Sequence, residues 1–84
     1  MKHPKHPLPK LYIKAGCPWC EEAIAWLDAK HVAYQLIEVR SDKAAFDEMV
    51  ALSGQTKTPT MQTADKRVLA DFDVAQLPEF LQIT

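Results

Sequence analysis

The stretch Leu11–Cys20, LYIKAGCPWC, carries the strongest structural signal in the sequence. It holds the only two cysteines of the chain, Cys17 and Cys20, three positions apart. An apolar run precedes them, and a helical pattern follows them from Glu21 to Lys30. A strand, a tight turn, Cys-x-x-Cys and a helix form the setting in which paired cysteines perform thiol–disulfide exchange. The sequence therefore predicts a redox site where the first helix begins.

Cys17 is predicted to be the attacking thiolate of this site. A free cysteine thiol has a pKa of about 8.5 and is only slightly ionised at neutral pH. The amino end of the helix and the positive charge of Lys14 favour a negative sulfur at Cys17. Cys20, one turn into the helix, is predicted to keep its proton longer and to resolve the mixed disulfide by attacking Cys17. Trp19 would add an apolar rim beside the reactive sulfur.

Length and composition exclude several classes of protein. The chain has 84 residues, which is room for one domain. Ten Lys and Arg against eleven Asp and Glu give a net charge of −1, which argues against a nucleic-acid binder. No apolar run approaches the roughly 18 residues of a membrane span. The amino-terminal stretch lacks the apolar segment of a secretory signal, so we expect a cytoplasmic protein whose cysteines serve redox or metal chemistry.

Metal binding needs more ligands than the sequence offers near the cysteines. A structural zinc site takes four ligands, and a second Cys or His pair at matching spacing is absent. His31 stands alone at the end of the first helix, and His3 and His6 lie far from any sulfur ligand in the sequence. We therefore predict no metal site.

The periodicity of the chain predicts an extended arm over residues 1–9 and a single domain over residues 10–84. In the domain, the strand patterns Leu11–Ile13 and Val32–Val39 flank the first helix, so the two strands should be parallel with a right-handed crossover. Ser41 or Asp42 is predicted to cap a second helix that ends at Gly54.

The last third of the domain predicts a hairpin and a final helix. Thr58–Thr63 and Arg67–Ala70 are typical of two antiparallel strands. Asp73 is a candidate N-cap, but Pro78 disfavours a helix that runs through it, so a turn followed by a helix from nearer Leu77 stays open. The order β-α-β-α-β-β-α predicts an α/β fold with a four-stranded mixed sheet and flanking helices.

From Lys10 to Leu81 the chain resembles the glutaredoxins, a small branch of the thioredoxin-like fold. The Cys-Pro-Trp-Cys segment is similar to the dithiol active site of that family, and Thr58-Pro59 is similar to its Thr-Val-Pro element. The resemblance implies that Pro59 is a cis-proline facing the cysteines. It also implies that Thr58 pairs with the cysteinyl part of glutathione and that Lys14 binds the glycine carboxylate.

The segment from Leu69 to Asp73 is similar to the Gly-Gly-x-Asp-Asp segment of the family. The resemblance implies that the backbone amides of Asp71 and Phe72, with the side chain of Asp73, meet the γ-glutamyl end of glutathione. Leu69 and Ala70 replace the paired glycines. Their side chains are expected to crowd the path of the peptide, which places the use of glutathione in question.

Three functions follow from the resemblance and its departures. The first is a monomeric thiol–disulfide oxidoreductase of electron transport and cell redox homeostasis, which uses glutathione as co-substrate, holds no bound cofactor and reduces disulfide-containing proteins or glutathione mixed disulfides. The second is an electron donor that a flavoenzyme of the thioredoxin-reductase type reduces. The third is a metal or iron–sulfur carrier that uses Cys17 across a dimer, which Cys20 disfavours because a resolving thiol competes for Cys17.

Overall fold

The computed structural model describes residues 8–83, and its central element is a four-stranded sheet. The strands are β1 (Lys10–Ile13), β2 (Gln35–Glu38), β3 (Thr60–Gln62) and β4 (Val68–Ala70). The helices are α1 (Pro18–Ala29), α2 (Lys43–Ser53) and α3 (Leu77–Leu81), the last preceded by a 3₁₀ turn over Val74–Gln76. The strand order in the sheet is β2-β1-β3-β4.

The sheet is mixed, as the sequence predicted. β1 runs parallel to β2, and α1 forms the crossover between them. β3 is antiparallel to both β1 and β4, so the last two strands form the predicted hairpin. The observed order of elements confirms the α/β arrangement β-α-β-α-β-β-α.

The helix α1 begins at the cysteine pair. Cys17 is its N-cap in an extended conformation, and Pro18 occupies the first helical position, where its missing N–H leaves no intrahelical bond unmade. The helix closes at Lys30, and His31 follows it with a φ of 58°. The Val32 amide donates back to the Leu27 carbonyl, so this residue completes the helix end and does not begin a strand. This contact explains why β2 does not begin at Val32 as predicted; the strand begins at Gln35 and ends at Glu38.

Side chains from both faces of the sheet form the core. Along β1, Leu11 and Ile13 lie in a cluster with Leu27 of α1, whereas Tyr12 lies in a second cluster with Met49 of α2. Successive residues of a strand point to opposite faces, so β1 contributes to both clusters. A helix therefore covers each face, and the edge of the sheet where β1 and β2 end carries the cysteine loop.

The ends of α2 match the sequence signals. Asp42 is the N-cap and its side chain accepts from the Ala45 amide at 3.1 Å. Gly54 closes the helix with a φ of 72°, which glycine adopts without steric cost. Of the two predicted caps, Asp42 fills the role, while Ser41 binds Glu38.

The final helix begins at Leu77, which is the later of the two starting points that the sequence left open. Asp73 caps the 3₁₀ turn, and Gln76 closes a capping box on the Asp73 amide. The helix α3 then starts at Leu77 with Pro78 in its first turn. Of the predicted arm over residues 1–9, residues 1–7 lie outside the described part of the chain. No helix within residues 8–83 is long and apolar enough to cross a membrane.

We expect Asp42→Ala to lower the free energy of unfolding by about 1 kcal/mol, because the Ala45 amide loses its acceptor. Urea denaturation followed by circular dichroism measures the change. Asp42→Asn keeps an acceptor oxygen and should stay close to the wild type. Asp47→Ala removes an exposed carboxylate from the same helix together with its surface ion pair to Lys43, which contributes only about 0.3–0.5 kcal/mol, and so controls for charge. Equal losses for Asp42→Ala and Asp47→Ala would contradict the capping role.

Candidate active site

The two cysteines occupy the first turn of α1 with different exposure. Both thiols are free. Cys17 is half-buried, and its Sγ accepts from the Cys20 amide at 3.2 Å. Cys20 is 1% exposed and packs into the core beside Ala23 and Leu27. An incoming disulfide can therefore reach Cys17, while Cys20 is shielded behind it.

Hydrogen bonds around Cys17 lower the pKa of its thiol. Burial is the largest single effect and would raise this pKa, but contacts from the thiol and amide of Cys20, the Thr58 hydroxyl and the Trp19 amide outweigh it. Burial raises the pKa of the Cys20 thiol, and its contact with Cys17 raises it further. Cys17 is therefore the first of the pair to ionise, which makes it the better nucleophile of the two.

A cis peptide bond joins Thr58 to Pro59 directly beside the cysteines. The Cys17 sulfur lies 3.9 Å from both the hydroxyl and the carbonyl oxygen of Thr58. Pro59 is buried, and its carbonyl accepts from the Phe72 amide at 3.2 Å. The turn before β3 thus lies against the reactive sulfur, and the segment after β4 is tied to that turn.

A groove of about 580 Å³ opens over Cys17. It brings together seven of the residues that the sequence nominated: Lys14, Cys17, Trp19, Thr58, Asp71, Phe72 and Asp73. The other two, Cys20 and Pro59, are buried next to it. Trp19 is 59% exposed and lines the groove next to Pro18.

Lys14 lines the groove, but its charge does not make the expected contribution to the pKa of Cys17. Its Nζ donates to the Thr56 carbonyl at 3.0 Å. The donors that surround the Cys17 sulfur, and not the Lys14 charge, dominate the lowering of the Cys17 pKa. The charge of Lys14 remains available to a ligand, because a neutral carbonyl does not cancel it.

The segment after β4 corrects one expectation, which is that the Phe72 amide is free to bind a ligand. Asp71 has a φ of 51°, a left-handed conformation that aspartate tolerates better than most residues. The Phe72 side chain is 2% exposed in the core and its amide is bonded to Pro59, so this amide does not offer a donor to a ligand. The Asp73 carboxylate accepts from the Ala75 amide at 2.8 Å as a cap.

Leu69 and Ala70 do not crowd the groove, contrary to the expectation from the missing glycines. Leu69 packs against the core and lines a separate, smaller cavity of about 370 Å³ beside Phe80. Neither residue lines the groove over Cys17. The replacement of the paired glycines therefore leaves the approach to Cys17 open.

The sequence interpretation missed two residues that hold the cysteine loop. The Glu38 carboxylate accepts from the Ala15 amide at 2.8 Å, and Arg40 Nη1 donates to the Ala15 carbonyl at 3.1 Å. Hydrogen bonds to Ala15 and Ser41 lower the pKa of Glu38, so it is ionised at neutral pH. The register Ile13–Glu38 between parallel strands places both residues at the edge that carries Cys17. The prediction that β1 and β2 are parallel was the signal in the sequence that could have identified these two residues.

The groove has three further lining residues besides Pro18: Arg40, Lys57 and Gln76. Within residues 8–83, no three side chains of His, Cys, Asp or Glu come close enough together to hold a metal ion. The site therefore consists of two thiols, one cis-proline and a groove with charged groups along it.

The geometry defines a class of protein. A mixed four-stranded sheet, a first helix that begins at Cys-x-x-Cys and a cis-proline beside the first cysteine are the features of a thioredoxin-like fold with a dithiol site. The glutaredoxin family model matches residues 10–68, more than half of the chain. The chain therefore belongs to the glutaredoxin family.

Individual relatives agree with this assignment. An uncharacterized glutaredoxin-like 8.6 kDa protein in the rubredoxin operon of Clostridium pasteurianum is 26% identical over 73 residues, which cover 87% of this chain and 96% of that protein. Glutaredoxin 3 of Escherichia coli K12 is 36% identical over 50 residues, which cover 60% of each.

Solved structures show the same fold. A mutant of the thioredoxin-like protein BC3987 has a TM-score of 0.81 at 28% identity, and the match covers 90% of this chain and 96% of that one. A glutaredoxin from Archaeoglobus fulgidus has a TM-score of 0.78 at 17% identity, covering 90% and 87%, and supports the fold alone.

We expect Thr58→Val to raise the pKa of Cys17, because a weak hydrogen bond to the thiolate is lost. The rate of iodoacetamide alkylation of Cys17 against pH, measured in a Cys20→Ser background, gives this pKa. Thr58→Ser keeps a hydroxyl and serves as the matched control. An unchanged midpoint in Thr58→Val would show that the hydroxyl does not stabilise the thiolate.

Proposed function

We propose that the protein is a dithiol glutaredoxin, a glutathione-dependent thiol–disulfide oxidoreductase that reduces protein disulfides or glutathione mixed disulfides. It would act as a cytoplasmic monomer without a bound cofactor. The observation that carries the proposal is the position of the Cys17 sulfur. It lies in an open groove, with a lowered pKa, next to Thr58 and in contact with Cys20.

The proposed reaction proceeds by two exchanges. The Cys17 thiolate attacks one sulfur of the substrate disulfide, and the other sulfur leaves as a thiolate that takes up a proton. Cys20 then loses its proton and attacks the Cys17 sulfur, which releases the second substrate thiol and leaves a Cys17–Cys20 disulfide. Two glutathione molecules return two electrons and two protons to the cysteines and leave as glutathione disulfide.

The groove suits glutathione at three points. Lys14 would bind the glycine carboxylate, because its charge meets only a neutral carbonyl. The main chain of Thr58, before the cis-proline, would pair with the cysteinyl part. The Asp71 amide and the Asp73 carboxylate would meet the γ-glutamyl end, and Trp19 would form the apolar rim.

A second candidate rests on the Phe72 amide. This donor was expected to bind the γ-glutamyl end, but it is bonded to the Pro59 carbonyl instead. One fewer donor weakens the recognition of glutathione relative to the family pattern. The alternative is therefore an electron donor that a flavoenzyme of the thioredoxin-reductase type reduces, with the same two exchanges at Cys17 and Cys20.

We expect turnover of a small glutathione mixed disulfide in the presence of glutathione, glutathione reductase and NADPH, measured as loss of NADPH absorbance. Cys17→Ser should reduce the rate to background, because the attacking thiolate is absent. Cys20→Ser should retain this activity but lose the reduction of a protein disulfide such as that of insulin, which needs the second thiol.

The same assay separates the two candidates. Turnover with thioredoxin reductase and none at millimolar glutathione would reject the first candidate in favour of the second. Full reduction of insulin by Cys20→Ser would show that Cys20 does not resolve the mixed disulfide. A wild-type protein inactive with both reductants would reject both candidates.

A further inference from the structure

Charged residues are separated along the groove according to the order of the strands. Arg40 follows β2, Lys14 follows β1, and Lys57 precedes β3. Asp71 and Asp73 follow β4. Because the sheet order is β2-β1-β3-β4, the three cations form one end of the groove and the two carboxylates form the other. We call these the cationic end (Lys14, Arg40, Lys57) and the acidic end (Asp71, Asp73).

No carboxylate forms an ion pair with the cationic end within residues 8–83, and the ionised Glu38 carboxylate, which lies beside it, is bonded to the Ala15 amide. The ion pairs in that part of the chain are Lys10–Glu48, Lys43–Asp47 and Arg67–Asp65, and none of them lines the groove. Arg40 and Lys14 each donate to a backbone carbonyl, of Ala15 and Thr56 respectively. Their positive charges are therefore held in place by neutral partners and are presented to whatever enters the groove.

Glutathione accounts for only part of this charge. In the proposed function its single glycine carboxylate lies next to Lys14, on the carboxyl-terminal side of its cysteine. Arg40, which follows the next strand out, then has no anionic partner on the ligand. A longer peptide that leaves the reacting cysteine in the same direction would extend past Lys14 towards Arg40, which lies one strand further out in the sheet.

We propose that the groove selects disulfide substrates whose reacting cysteine is followed by acidic residues, and that Arg40 is the residue that provides this specificity. The inference rests on the proposed function, which sets the direction of the substrate chain. Acidic residues before the cysteine would lie against Asp71 and Asp73 and be repelled. The preference is therefore directional, and net charge alone would not produce it.

Two isomeric peptides test the direction. Ac-Ala-Ala-Cys-Glu-Glu-amide and Ac-Glu-Glu-Cys-Ala-Ala-amide have the same composition and net charge, and Ac-Ala-Ala-Cys-Ala-Ala-amide is the neutral reference. Each is used as its homodisulfide. Reduced protein is mixed with excess peptide disulfide, and the rate constant for formation of the Cys17–Cys20 disulfide is measured with two peptide thiols released per event. Rates with dithiothreitol correct for the intrinsic reactivity of each disulfide.

We expect the peptide with glutamates after cysteine to react about fivefold faster than its isomer, with the neutral peptide between them. High salt should reduce this ratio towards one. Arg40→Gln should lower the ratio about two- to threefold, and Arg40→Lys should retain most of it, since a positive charge remains. Lys43→Gln removes an exposed lysine outside the groove and should leave the ratio unchanged.

The outcomes distinguish this inference from the proposed function. If reduced protein reacts with none of the three peptides, the proposed reduction of disulfides fails, and the inference fails with it. If all three react at equal corrected rates, the protein is a disulfide reductase without this selectivity, and the inference alone is overturned. A ratio that Arg40→Gln and Lys43→Gln change equally would assign the preference to overall charge and reject the role of Arg40.

Discussion

The site depends on one constraint, which is that α1 begins at Cys17. Only in this position can the Cys17 sulfur accept the Cys20 amide, a contact of 3.2 Å that the first turn of the helix itself provides. Pro18 fits the first helical position, and the Lys14 carbonyl accepts from the Cys17 amide at 3.2 Å. The turn before β3 adds the hydroxyl and the carbonyl oxygen of Thr58, each 3.9 Å from the sulfur. The acidity of one thiol therefore follows from where a helix starts.

The order of strands in the sheet determines which loops surround the start of α1 and how charged residues are arranged along the groove. β1 lies between β2 and β3, so the loop after it has a neighbouring loop on each side. Glu38 at the end of β2 and Arg40 after it contact this loop through their side chains. The turn before β3 contacts the loop through Thr58. The segment after β4 is one strand further away and is linked by the hydrogen bond from Phe72 to Pro59. Because the groove crosses the ends of all four strands, the charged residues next to those ends line it in the order of the strands.

Local patterns in the sequence predicted the order of elements, the cysteine pair and the Gly54 helix end, and they left open the late start of α3 as one of two arrangements. Each depends on residues close together in the chain. The predicted β2 began too early, at Val32, because the Val32 amide bonds to the end of α1. The partner of the Phe72 amide and the packing of Leu69 against the core depend on how segments distant in the sequence meet in space. Arg40 was missed for the same reason: its role depends on a carbonyl 25 positions away.

The contacts of Glu38 and Arg40 with the cysteine loop involve only the main chain of Ala15. The Ala15 side chain is exposed and takes no part in them. Substitution at position 15 is therefore expected to be nearly neutral as long as the backbone conformation is kept. Exchange of Glu38 or Arg40, in contrast, removes a contact that no side chain at position 15 can replace. In a set of related sequences, positions 38 and 40 should then be restricted together while position 15 varies freely, although all three belong to the same loop contact.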